Sequence, residues 1–259
     1  RLHKEVKSLP RWRSTAGVRT VAAALILTAC SPSSEEPAAD ASAIQLLEWA
    51  DRRLAAGELN RATSGYRRAL QRDSLSVSSL LGLAQVYQLQ ERNDPADRYR
   101  RRAFHIHYQR GLEWVSSGDP DSARARLEAA IEIIPQHPLA HLRLGELAQV
   151  AGQPNAAIAH FERAVEANPH YAESLIILAK AYTAGQRPDD AQVAFERAIE
   201  ANINSLDAYL GLGQIFSDRD EWAAAVAQFE KALLIDPESG PARRGLDRAR
   251  SQIQGRRSE

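Results

Sequence analysis

The sequence predicts an all-α solenoid of about six helix-turn-helix units closed by a C-terminal capping helix. Three observations predict it. Composition leans towards helix: alanine and leucine recur through 259 residues that are 44% hydrophobic, 25% charged and only 6% aromatic, without extended β-branched runs. Two parallel ladders of alanine run through the chain at a fixed spacing. Glycine and proline punctuate the chain in step with those ladders.

The first ladder is Ala62, Ala96, Ala123, Ala157, Ala191 and Ala225; the second, seven residues on, is Ala69, Ala103, Ala130, Ala164, Ala198 and Ala232. Successive gaps are 34, 27, 34, 34 and 34 residues. Other positions keep the same phase. A Leu-Gly or Leu-Ala pair recurs as Leu83-Ala84, Leu144-Gly145, Leu178-Ala179 and Leu212-Gly213, followed by Tyr87, Tyr182 and Phe216, with Trp114 in the equivalent place of another unit. A second aromatic set is Tyr66, Phe161, Phe195 and Phe229, and a closing proline falls at Pro135, Pro169 and Pro237. Small residues let antiparallel helices approach closely, and aromatics fill the wedges left between them. No helix pair buries its apolar stripe alone, so each is stabilised by stacking on its neighbours.

Gly57, Gly118 and Gly152 are placed to end first helices, where glycine tolerates a left-handed backbone. Pro120, Pro154 and Pro188 open the helices that follow, at a point where a missing amide donor costs nothing. The units read as 43–76, 77–103, 104–137, 138–171, 172–205 and 206–239. The second lacks seven residues and its closing turn, so one long helix is expected from Pro95 to Ser117. Seven residues is close to two helical turns, which keeps the apolar faces aligned. Residues 240–259 read as a capping helix and tail, charged on most faces but keeping Leu246 and Ile253.

These positions closely resemble the tetratricopeptide repeat, W-x2-L-G-x2-Y…A-x3-F…P, over about four-fifths of the chain. The resemblance implies a right-handed superhelix whose first helices line a concave groove through positions 2, 5, 9, 12 and 13 of each unit. Position 5 is then Leu47, Leu81, Tyr108, Leu142, Ile176 and Leu210; position 9 is Asp51, Gln85, Leu112, Glu146, Lys180 and Gln214. Members that clamp a C-terminal carboxylate combine lysines with asparagines there; at positions 5 and 9 this sequence has no asparagine and only one lysine, Lys180. An apolar line flanked by polar groups suits an amphipathic or apolar segment of another protein. The same apolar line also fits plain packing between repeats.

The N-terminus reads as an address. Arg1, Lys4, Lys7, Arg11, Arg13 and Arg19 precede the short apolar run Val21–Leu27, far below the roughly 20 residues of a membrane-spanning helix. Leu27-Thr28-Ala29-Cys30, with the only cysteine of the chain, resembles the lipobox of bacterial lipoproteins. That resemblance implies a signal peptide over 1–29 and acylation of Cys30, several chains together giving a stable anchor. Residues 30–42 then form a flexible tether rich in Ser, Pro and acid. Ser31 after the cysteine points to outer-membrane rather than inner-membrane delivery, facing the periplasm. Met is absent, position 1 included, which leaves the true start open.

Outside the basic leader the chain holds 27 basic against 32 acidic residues. No uniformly basic surface exists to displace counterions from phosphates, so no nucleic-acid partner is expected. No phosphate-binding glycine loop, nucleophile elbow or HExxH pattern occurs. Seven histidines invite a metal hypothesis. His105 and His107 point in different directions on a helix, His137 and His141 are separated by Pro138, and His107 and His141 hold the same place in neighbouring units. No cofactor, metal, small-molecule substrate or catalytic residue is therefore expected. The expected role is a membrane-tethered scaffold or adaptor that binds another protein. Two other readings stand at this level: a structural protein stacking end to end, and a soluble intracellular scaffold with Cys30 as an ordinary thiol.

Overall fold

The computed structural model describes residues 36–258, side chains through 255. The signal segment and Cys30 lie outside the described residues. Residues from Ala39 onward form one compact unit. Among the described residues there are twelve helices and no strand. In chain order they are α1 (Ala43–Ala55), α2 (Leu59–Arg72), α3 (Val77–Leu89), α4 (Asn93–Ser117), α5 (Pro120–Ile133) and α6 (Pro138–Val150). Then follow α7 (Pro154–Ala167), α8 (Ala172–Ala184), α9 (Pro188–Ala201), α10 (Leu206–Asp218), α11 (Trp222–Ile235) and α12 (Gly240–Ser258). No described helix is long and apolar enough to cross a membrane.

Each helix packs mainly on the next in the chain, as a solenoid requires. Both alanine ladders are buried almost completely, from Ala62 and Ala69 to Ala225 and Ala232. Residue 15 of every unit takes a left-handed backbone: Gly57, Gly118 and Gly152, but also Glu91, Gln186 and Asp220. The tight turn is thus imposed by packing of the two helices it joins. At Glu91 and Gln186 it holds a residue that local preference alone would not choose, while the aspartate at Asp220 tolerates this region better.

The second-helix rings are packed by a rule that spans repeats. Each ring lies between position 8 of its own unit and position 6 of the next, and at least one of these is glycine. A Cβ on Gly82 would stand 2.4 Å from Tyr66, and one on Gly211 would stand 2.3 Å from Phe195; both are position-6 residues of the following unit. For Phe161 the glycine is its own Gly145, at 2.3 Å, and Phe229 has glycine on both sides, Gly213 and Gly245. Rings with alanine at position 8 therefore meet glycine across the repeat boundary, and Phe161, followed by Ile177, meets it within its own unit.

The long helix expected from the missing seven residues is α4, 25 residues and about 37 Å long. α3 packs on its first part, where Tyr87 stacks on Tyr99 with centroids 5.7 Å apart. α5 packs on its second part, where Gly111 lies against Leu127. This geometry corrects one expectation. Trp114 does not fill a wedge but is 42% exposed, with Val115 beside it. Its counterparts Tyr87 and Tyr182 reach back to the preceding unit's second helix, to Arg67 at 2.7 Å and Glu162 at 2.7 Å. For Trp114 the preceding second helix is the first part of α4 itself, collinear with it, so no surface lies behind the indole.

Candidate functional site: the first-helix surface

First helices α1, α3, the second part of α4, α6, α8 and α10 carry the twelve groove candidates, and the structure sorts them by environment. At position 5, Tyr108 and Leu142 are only 8% and 6% exposed and belong to the core. Leu47, Leu81, Ile176 and Leu210 are half-buried, and all but Leu81 pack against the core clusters. At position 9, Asp51, Gln85, Lys180 and Gln214 are exposed, while Leu112 and Glu146 are half-buried. An Asp at Leu142 would therefore test folding before it tested binding. Substitutions meant to probe this surface belong at Leu81, Ile176 or Leu210.

Several of its polar groups are already engaged. Asp51 accepts a 2.6 Å hydrogen bond from the Tyr66 hydroxyl. Burial of that hydroxyl, together with the carboxylate it donates to, pushes the phenol far above its ordinary range. Glu146 pairs with Arg143 at 2.7 Å, and Lys180 with Asp207 of the next first helix at 2.6 Å. Gln214 donates to Asp218 at 2.6 Å. The middle of the surface is thus close to neutral, and what it offers a ligand is its apolar line.

That line deepens at the N-terminal end into a hollow of about 460 Å³ lined by Asp51, Leu54, Ala55, Tyr66, Ser78, Leu81, Gly82, Gln85 and Leu89. Asp51, Leu81 and Gln85 were candidates from sequence. Leu54 and Leu89 were not, although they hold positions 12 and 13 of their units, and Leu89 is 57% exposed. A second hollow, about 290 Å³, lies at the C-terminal end, where Leu210 and Gln214 meet Phe229 and the capping helix residues Pro241, Arg244, Gly245 and Arg248.

The histidines are arranged differently from their register. His141 is 6% exposed and pairs with His160 of α7 through their Nδ1 atoms at 3.2 Å, not with His107. Its Nε2 stands 2.8 Å from the Pro135 carbonyl. That Nε2 carries a proton donated to the carbonyl, so in the neutral pair His160 donates to His141 Nδ1. Burial, then the neighbouring His141, depress His160 below the ordinary imidazole value; burial likewise depresses His107 and His137. These are packed structural histidines. Among the described residues no group of three or more His, Cys, Asp or Glu is placed to hold a metal ion.

Family comparison agrees with this geometry. Three family profiles, each described as tetratricopeptide repeat, match residues 108–172, 150–215 and 206–239. The chain belongs to the tetratricopeptide repeat family. It is a repeat scaffold of the kind that binds other proteins. No curated protein sequence matches it. Among solved structures it is similar to the Cut9 and Hcn1 complex of the APC/C, with 19% identity and a TM-score of 0.49, over 80% of this chain but only 42% of that one. It is also similar to PilW, a type IV pilus biogenesis factor, with 20% identity and a TM-score of 0.49, over 79% of this chain and 98% of that one. A third likeness is to pilF of Pseudomonas aeruginosa, with 16% identity and a TM-score of 0.47, over 78% and 95% of the two chains.

Proposed function

We propose that this tetratricopeptide protein is a lipid-anchored adaptor of the bacterial cell envelope that holds an amphipathic or apolar segment of a partner protein along its first-helix groove. The observation that carries the binding half is the half-exposed line of Leu47, Leu81, Ile176 and Leu210, opening into the hollow beside Leu54 and Leu89. These side chains are only half-buried and keep apolar surface in water, and covering that surface favours association. The envelope half rests on sequence alone: a basic leader, the apolar run Val21–Leu27 and the lipobox-like Leu27-Thr28-Ala29-Cys30. On this reading the acidic, Pro- and Ser-rich segment after Cys30 is the tether between the anchor and the array.

Mass spectrometry of the protein purified from bacterial membranes tests the anchor. The expected product begins at Cys30 and carries acyl mass, which the Cys30→Ala variant lacks. An unprocessed, soluble product from the unaltered chain would remove the envelope from the reading and leave the groove to be tested elsewhere.

A further inference from the structure

Continued beyond the sixth unit, the 34-residue period places a seventh first helix at residue 240, where α12 begins. The packing follows that register. Ala242, Leu246 and Ala249 hold positions 3, 7 and 10 and are 0%, 7% and 0% exposed, as buried as Ala208, Leu212 and Ile215 one unit earlier. Gly245 holds position 6 and lies against Phe229, as Gly211 lies against Phe195. The capping helix is therefore a first helix without a second one, and its positions 5 and 9 extend the two columns of the groove. Those positions are Arg244 and Arg248.

Both arginines are exposed and both line the C-terminal hollow with Leu210, Gln214 and Phe229. Spaced four apart, they share one face of α12 and repel each other. Arg243 and Arg250 of the same helix are neutralised by Glu238 and Glu230, each at 2.8 and 2.7 Å respectively. Arg244 and Arg248 have no such carboxylate among the described residues. Two uncompensated guanidiniums beside the half-buried Leu210, at the end of a groove whose central charges are already paired, match an anionic group next to an apolar one. A guanidinium fork pairs with a carboxylate through two parallel hydrogen bonds, the strongest kind available at an exposed site.

We infer that the C-terminal end of the groove selects an acidic partner segment. An Asp or Glu of the bound segment meets Arg244 and Arg248, while an apolar side chain about one helical turn or two extended residues away rests on Leu210. This inference deepens the groove reading and rests on it.

The test is selection of random 12-residue peptides on phage against the full chain, followed by binding isotherms for the selected peptides. Expected are sequences enriched in Asp or Glu beside Leu, Ile or Phe. Their affinity should fall at least tenfold in R244E/R248E, fall less in R244K/R248K, and weaken with added salt. Replacing the peptide's acid by Lys should restore binding to the charge-reversed chain. Acidic peptides that bind R244E/R248E undiminished, or selected peptides with no acidic enrichment, would overturn the inference while leaving the groove in place. Peptides indifferent to both Ile176→Asp and Leu210→Asp, or no selected peptide at all, would overturn the groove reading and this one with it. Circular dichroism melts, unchanged for the exposed arginine pair, separate loss of binding from loss of fold.

Discussion

Phe161→Ala is expected to lower the unfolding free energy by about 3–5 kcal/mol, the range for removing a wholly buried aromatic from a close-packed core. The ring is 0% exposed, lies against Gly145 of α6 and shares its cluster with Leu142, Leu175 and Leu178, so it joins α7 to both α6 and α8. A repeat array has no alternative core to absorb the loss, because each unit is stabilised by its own packing and by nearest-neighbour interfaces. The cost should therefore be local. Urea unfolding measures the total, and hydrogen exchange should show lost protection across α6, α7 and α8 with α1 and α2 much less affected. A loss below 1 kcal/mol, or one spread evenly over all twelve helices, would contradict this account of the packing.

Gly145→Ala should also destabilise, against the usual rule for helix interiors. In an exposed helix the change stabilises by about 1 kcal/mol through backbone entropy. Here the added Cβ would stand 2.3 Å from the Phe161 ring, and overpacking of this kind costs about 1–3 kcal/mol. The units that combine a ring with alanine at this position, Ala50 and Ala179, have glycine on the other flank of the ring, Gly82 and Gly211. Phe161 has Ile177 there and no room to retreat. The net expectation is a loss of about 1–2 kcal/mol in urea unfolding. Adding Phe161→Leu, the size of Leu127 in the preceding unit, should make the double variant more stable than the two single losses predict. Such coupling is the mark of two residues in contact; strict additivity would contradict the clash.

Much of this fold is legible in the sequence because its causes are local and repeated. The alanine ladders, the glycine turns and the prolines at helix starts each report one unit's packing, and the 27-residue gap between Ala96 and Ala123 announces α4. What escaped reading depends on neighbours. The left-handed turns at Glu91, Gln186 and Asp220 carry no glycine signal, since packing of the joined helices dictates them. Trp114 keeps the repeat's aromatic position but loses its neighbour because α4 is one continuous helix. His141 meets His160 across a helix pair, a contact that same-position register between units does not predict.

The groove divides along the same line. Register alone places Leu81, Ile176 and Leu210 on the first-helix surface, but only packing shows that Tyr108 and Leu142 are spent on the core. Charge on most faces made the segment after residue 240 look like a cap that merely keeps the array in water. One more count of 34 assigns Arg244 and Arg248 to positions 5 and 9 of a first helix, and the burial of Ala242, Leu246 and Ala249 supports that count.

The most direct test of the adaptor reading is site-specific photocrosslinking in intact cells that express the full chain. A benzoylphenylalanine is placed at Gln85 or Gln214 on the first-helix surface, or at Glu128 or Glu196 on exposed faces of the second helices α5 and α9. The account predicts a discrete adduct of one partner from Gln85 and Gln214 and none from Glu128 or Glu196. Adducts of the same mass from both faces, or from the second helices alone, would contradict it.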